Sequence, residues 1–236
     1  MILFVNGDSH SAAAEAVNSH AFAEDDGRYK HLGRLPHPDN LAVSWGRKLA
    51  DIIKAGYHCD AESASSNSRI LRTTKLWIEE HKNLISTTFF IIQWSTWERE
   101  EWLIDQIYYQ VNASGVDDVP QSHQQRYKQW IADIDYHSVQ RRAHEEIWDF
   151  HQYLENYGAK HIFFNGNSYF DPAIVGTEQN WGKNYIGPYD PKMTFNQWLL
   201  DHGHDTVSPK SWHFGRDAHS DWARFMLKYI VSNQML

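Results

Sequence analysis

A single cysteine, Cys59, stands among 236 residues, so no disulfide within the chain can staple the fold. One thiol also suits a reducing compartment, where disulfide frameworks are rare. Clustered basic charge is lacking too. The formal net charge is -8, which argues against nonspecific nucleic-acid binding and against adhesion to an anionic membrane. Arg69 and Arg72 offer a local basic patch at most. No apolar run approaches the roughly 18 residues a membrane helix needs. The apolar start, Met1 to Val5, is too short for a signal peptide and meets Asp8 almost at once. These absences predict a soluble, cytoplasmic protein without a signal peptide.

Aromatic residues are abundant instead, with 11 Trp, 12 Tyr and 11 Phe. Most such rings build cores, and some line grooves, where they supply contact area at little entropic cost. Fifteen histidines make the charge sensitive to pH near 6 to 7. A chain of this length suits one α/β domain, or one with an insertion, with a core large enough to need no metal.

The run Ile2-Leu3-Phe4-Val5 reads as a buried strand, followed by a turn at Asn6-Gly7. The small residues 11–16 predict a helix, so strand, turn and helix would meet at Ser9. Such a serine is placed to attack a carbonyl, or else Asp8 or Ser9 simply caps the helix. Residues 25–40 read as a loop. Leu41, Trp45, Leu49 and Ile52 then mark one helix face, ended by Gly56. Tyr57-His58-Cys59 reads as a second strand, and a helix carries Ile70, Thr74, Trp77 and His81 on one side.

The third strand is the clearest, Thr87 through Ile92 and on to Trp94. Residues 99–112 read as a helix with Trp102 and Tyr109 on its face, and 122–157 as helical with a break near 135–138. Ile162-Phe163-Phe164 is a fourth strand. Residues 171–211, rich in proline and glycine, form a long loop that suits a lid, with Trp181, Tyr185 and Tyr189 exposed and a short helix near 195–201. A last helix carries Ala218, Trp222, Phe225 and Tyr229, with Asp217 as its N-cap. Strands alternating with helices predict a single three-layer α/β/α domain spanning 1–236, with a doubly wound parallel sheet.

Three patches together resemble the SGNH (GDSL-like) hydrolases. They are Gly7-Asp8-Ser9-His10, Ala64-Ser65-Ser66-Asn67-Ser68-Arg69-Ile70, and the stretch His213-Phe214-Gly215-Arg216-Asp217-Ala218-His219. The likeness is nearest to the compact SGNH-like proteins of phage genomes, which implies a virion-associated place as the alternative to a cytoplasmic one. It implies about five parallel strands in flavodoxin-like order. It also implies a serine esterase or deacylase acting on a small ester, acetylated sugar or lipid, with no cofactor and no metal. By that resemblance the catalytic residues are Ser9 as nucleophile, His213 as base and Asp8 of the opening motif. The N–H groups of Ser9 and Ala64, with Ser95, would hold the oxyanion. Asn67, Trp94, Arg99, Asp205 and His219 are supporting or substrate-contacting positions.

The chain departs from the family pattern in three places. Lys210 stands where an aspartate would orient His213, leaving Asp205, Asp201 or a bare Ser–His dyad. Gln93-Trp94-Ser95-Thr96 replaces the Gly-x-Asn-Asp motif, and Ala64 replaces a glycine. Two other readings stand beside the hydrolase. One is an SGNH fold that has lost catalysis and serves as a binding or virion-structural module. The other is a metallophosphoesterase whose opening Asp-x-His would be Asp8 and His10, with only His202-Gly203-His204 to match its later motifs. The Arg99 and Glu101 pair otherwise reads as a solvated helix face, and His219 as a structural helix-start residue.

Overall fold

The computed structural model describes residues 1–23, 35–113 and 115–236. Its core is a four-stranded parallel sheet of β1 (Ile2–Asn6), β2 (Gly56–Cys59), β3 (Thr88–Trp94) and β6 (Lys160–Asn165), in the order β2-β1-β3-β6. In register, Ile2 lies beside Gly56 and Thr88, and Phe89 beside Lys160. The sheet has the doubly wound order expected, with four strands rather than about five. Beyond β6 the next position is a one-residue parallel bridge, Phe163 to Tyr185, among the described residues.

Side chains alternate between faces along a strand, and here they divide two cores. Leu3, Val5, Phe89, Ile91, Ile162 and Phe164 face α2 (Trp45–Ile53), α7 (Phe195–Asp201) and α8 (Arg216–Ser232). Phe4, Phe90, Ile92 and Phe163 face α3 (Asn67–Glu80) and α5 (Tyr136–Asn156). Helices thus cover both faces, which is why the strands are continuous apolar runs. The chain leaves β1 for β2 on one side and returns to β3 on the other. The switch point, where open α/β sheets bind ligands, therefore lies between the carboxyl ends of β1 and β3.

The helix ends follow local chemistry. Ser44 Oγ accepts from the Arg47 N–H and separates α1 (Pro38–Ala42) from α2, so one expected helix is two. Lys54, in left-handed geometry, ends α2, and Gly56 already belongs to β2. Ser66 caps α3 and Asp135 caps α5, which marks the break after α4 (Gln124–Asp133). Gly215, not Asp217, is the N-cap of α8; Asp217 lies in its first turn. Most of the expected 25–40 loop lies outside the described residues.

Two expected helices are not helices. The 99–112 segment is a hairpin, β4 (Glu100–Ile104) and β5 (Ile107–Val111), rather than a helix. Asp105 and Gln106 both take positive φ, the geometry of a two-residue hairpin turn, without the glycine that usually signals it. Trp102, Ile104 and Val111 then bury one face of the hairpin against Tyr127 of α4. The second failure is 11–16, which forms a series of tight turns with Ala13 and Glu15 at positive φ instead of a helix. Tertiary bonds from Ser11 and Glu15, described next, outweigh the helix propensity of the alanines.

Candidate active site

Strand β1 ends in Asn6, whose Nδ2 donates to Thr73 and Thr74 of α3, fixing where the following turn begins. Gly7 then passes against Gln93. A Cβ at Gly7 would lie 2.7 Å from Ser11 Oγ and 2.8 Å from Gln93 Oε1, so only glycine allows this approach. Buried Gln93 is the hub of the site. Its Oε1 accepts from the Ser11 N–H (3.0 Å) and Ser11 Oγ (2.8 Å), and its Nε2 donates to Asp8 Oδ1 at 2.7 Å. Gln93 therefore fastens the Ser9 turn to β3.

Asp8 is fully enclosed. Besides Gln93, it accepts from Ser95 Oγ (2.8 Å), from the His10 N–H (3.0 Å) and from Arg99 Nη1 (3.2 Å). Burial opposes its charge, but His10, Arg99 and the Gln93 hydrogen bond outweigh burial and hold the carboxyl below its usual range. Asp8 is thus an anchor for the loops and has no hydrogen bond to His213 among the described residues. Arg99 and Glu101 are likewise committed rather than solvated. Arg99 also donates to Ser95 Oγ, and Glu101 binds Arg72 through two short bonds. Since Arg69 pairs with Glu62, the basic patch is neutralised.

His213 lies in the loop before α8, and its Nδ1 is 2.6 Å from Glu15 Oε2. Ser211 Oγ donates to the same carboxylate oxygen at 2.6 Å and accepts from the His213 N–H at 3.0 Å. Burial raises the Glu15 carboxyl, yet the Ser211 and His213 bonds overcome it and keep the group ionised. The carboxylate on His213 is therefore Glu15, carried by the same turn as Ser9. Asp201 instead accepts from Gln197, and Asp205 makes no hydrogen bond to His213 among the described residues. Sequence reasoning missed Glu15 because its left-handed backbone breaks the expected helix.

Ser9 is buried next to His10, whose ring lies 5.7 Å edge-on from that of His213. No Ser9–His213 hydrogen bond is present among the described residues, and the bond to Glu15 leaves Nε2 as the free ring nitrogen of His213. The backbone N–H groups of Ser9 and Ala64 have no acceptor among the described residues. Ala64 has φ +65°, a geometry that favours glycine. Its loop reaches the Ser9 turn through the Glu62 N–H to the Gly7 carbonyl, at 3.3 Å.

Ser95 is a weaker fit to the expected oxyanion role. Its hydroxyl donates to Asp8 and its N–H to Asn67 Oδ1 at 2.8 Å, so both donors are in use. Asn67 thus shapes the loop after β3. Trp94 is buried between Phe150 and Phe163 and serves the core rather than a substrate. His219 is also core. Its Nδ1 accepts from the Trp45 N–H at 3.4 Å, and burial lowers it to about 3. His10 is pushed by burial to about 4, so both rings are neutral at pH 7.

Beside these groups lies a cleft of about 530 Å³, lined by Thr96, Arg99, Asn167, Tyr169, Asn196 and Trp212. Trp212, next to His213, is 72% exposed. The 171–211 segment forms one wall through Thr194 and Asn196, and its aromatics Trp181 and Tyr185 are buried, not exposed as expected. His202 and His204 do not join Asp8. His202 stacks on Trp198, and His204 pairs with Asp221.

Fold and site together define a doubly wound α/β protein with a cleft walled by the loops that follow β3 and β6. The chain belongs to a family of unknown function, DUF6071, whose model matches residues 35–160. That match runs from α1 through α5 and leaves the Ser9 turn and the His213 loop outside it. No curated protein matches the chain.

Proposed function

We propose that the protein is an SGNH-like serine hydrolase acting on a small acyl ester, such as an acetylated sugar or lipid. One observation carries the reading: a carboxylate bonded to His213 Nδ1 comes from the turn that holds Ser9. In serine hydrolase logic, a carboxylate on Nδ1 fixes the tautomer and leaves Nε2 to take the serine proton. Ser9 Oγ attacks the ester carbonyl as its proton passes to His213 Nε2. The vacant N–H groups of Ser9 and Ala64 support a role in holding the oxyanion. Collapse expels the alcohol, which takes the proton from His213, and water then releases the acid from Ser9. Trp212, Asn167 and Asn196 line the cleft where the acyl or alcohol portion would rest.

The test is labelling by a fluorophosphonate probe, together with hydrolysis of short-chain acyl esters. Wild type is expected to label and Ser9→Ala to stay unlabelled. A folded wild type that neither labels nor cleaves any ester would refute the hydrolase reading and favour a binding module on this fold.

A further inference from the structure

Far from Ser9, at the opposite end of the sheet, α5 and the start of β6 bring together His151, Glu155 and His161. Their ligand atoms all lie within 4.8 Å of one another. We propose that these three residues bind a divalent transition metal, with Zn²⁺ the best-suited ion, at a site open to solvent. His151 and Glu155 are four residues apart on α5, which puts them on one helix face. His161, the second residue of β6, faces them from the sheet edge.

The tautomers favour a metal. His161 Nδ1 lies 2.9 Å from the Ala159 carbonyl, which only accepts, so Nδ1 carries the hydrogen and Nε2 presents a lone pair. A carbonyl on the far nitrogen is the usual support for a metal-bound histidine. His161 Nε2 now faces His151 Nδ1 at 2.8 Å. On binding, the His151 proton would move through solvent to its own Nε2, freeing the Nδ1 lone pair with no net proton released. The two nitrogens would then part to about 3.3 Å, as two ligands at ~2.05 Å on a tetrahedral ion require.

Glu155 is exposed and, among the described residues, its carboxylate accepts one hydrogen bond, at Oε1 from Asn184 Nδ2, so it can swing to the ion. Two imidazoles and one carboxylate match Zn²⁺ and its transition-metal neighbours. Mg²⁺ and Ca²⁺ prefer oxygen shells. A cleft of about 500 Å³, walled by Asn180, Gly182 and Lys183, opens onto the cluster and leaves room for a fourth ligand such as water. Lys183 does not compete for the carboxylate, because its Nζ donates to the Asn233 carbonyl at 2.9 Å.

The test titrates Zn²⁺ into chelator-treated full-length protein by calorimetry, with Co²⁺ absorption reporting tetrahedral geometry. One equivalent should bind, and Glu155→Ala and His151→Ala should each weaken it about 100-fold or more, since even supporting residues around a metal are worth 10- to 100-fold. Glu155 is exposed, so Glu155→Ala remains decisive if His151→Ala fails to fold, as circular dichroism would reveal. No saturable binding, or binding that both folded variants retain, would overturn the proposal. Labelling of Ser9 should not change with metal removal, which keeps this outcome separate from the hydrolase reading.

Discussion

Replacing Glu15 by glutamine keeps the shape of the side chain and removes its charge. In the wild type, Glu15 Oε2 holds both Ser211 Oγ and His213 Nδ1 at 2.6 Å. A glutamine amide can turn its NH₂ toward His213, which favours the tautomer that carries the proton on Nε2. The equivalent loss in a buried triad costs about 10⁴ in rate, or ~5.4 kcal/mol at 1.36 kcal/mol per decade. Here the pair is partly open, with side-chain exposures of 21% for His213 and 31% for Glu15, so water offsets part of that loss. We expect a fall of about 10²–10³ in the second-order rate of fluorophosphonate labelling, or ~3–4 kcal/mol.

Stability should hardly change, because glutamine still hydrogen-bonds here and a solvent-accessible charged contact contributes only ~0–1 kcal/mol. In a chain of this size that is a shift of at most about 2–4 °C in Tm. The two measurements separate the roles. A labelling rate within tenfold of wild type refutes the assignment of Glu15 as the positioning residue for His213. A large fall in Tm instead makes its role structural.

Two further outcomes follow from the buried groups and the strained backbone. His10 and His219 are pushed by burial to about 4 and about 3, while an unfolded histidine titrates near 6.5. Their contribution is therefore complete above pH ~6.5 and is lost as pH falls toward 4, because only the unfolded chain takes up the protons. Between pH 7 and 5 the two sites together should remove about 3–4 kcal/mol of stability, read from urea midpoints, and a profile flat within about 1 kcal/mol would contradict their burial as neutral rings. Ala64→Gly relieves the left-handed φ of +65° and should stabilise the protein by about 1 kcal/mol, with Ser9 labelling unchanged because the N–H remains. A neutral or lower urea midpoint would mean that Ala64 is not strained.

The sheet could be read from the chain alone. Strands β1, β3 and β6 are apolar on both faces, and only a sheet covered by helices on both sides uses such runs. The break before α5 was also legible, because a capping residue acts within a few positions of its helix. The hairpin was not. Trp102 and Tyr109 stand seven apart, which mimics a helix face, and the Asp105-Gln106 turn lacks glycine. Its burial against α4 decided the matter.

The site divides in the same way. The positions of Ser9 and His213 after β1 and before α8 follow from local motifs, but what touches them does not. Glu15 reaches His213 across 198 residues of chain, and Gln93 ties the Ser9 turn to β3 from 82 residues away. The Gln93 contact depends on the sheet bringing the carboxyl ends of β1 and β3 side by side, and the Glu15 contact on α8 packing beside α2, constraints no local pattern encodes. Residue order determined the layers and the loops that carry the chemistry. Tertiary packing alone decided which carboxylate faces which imidazole.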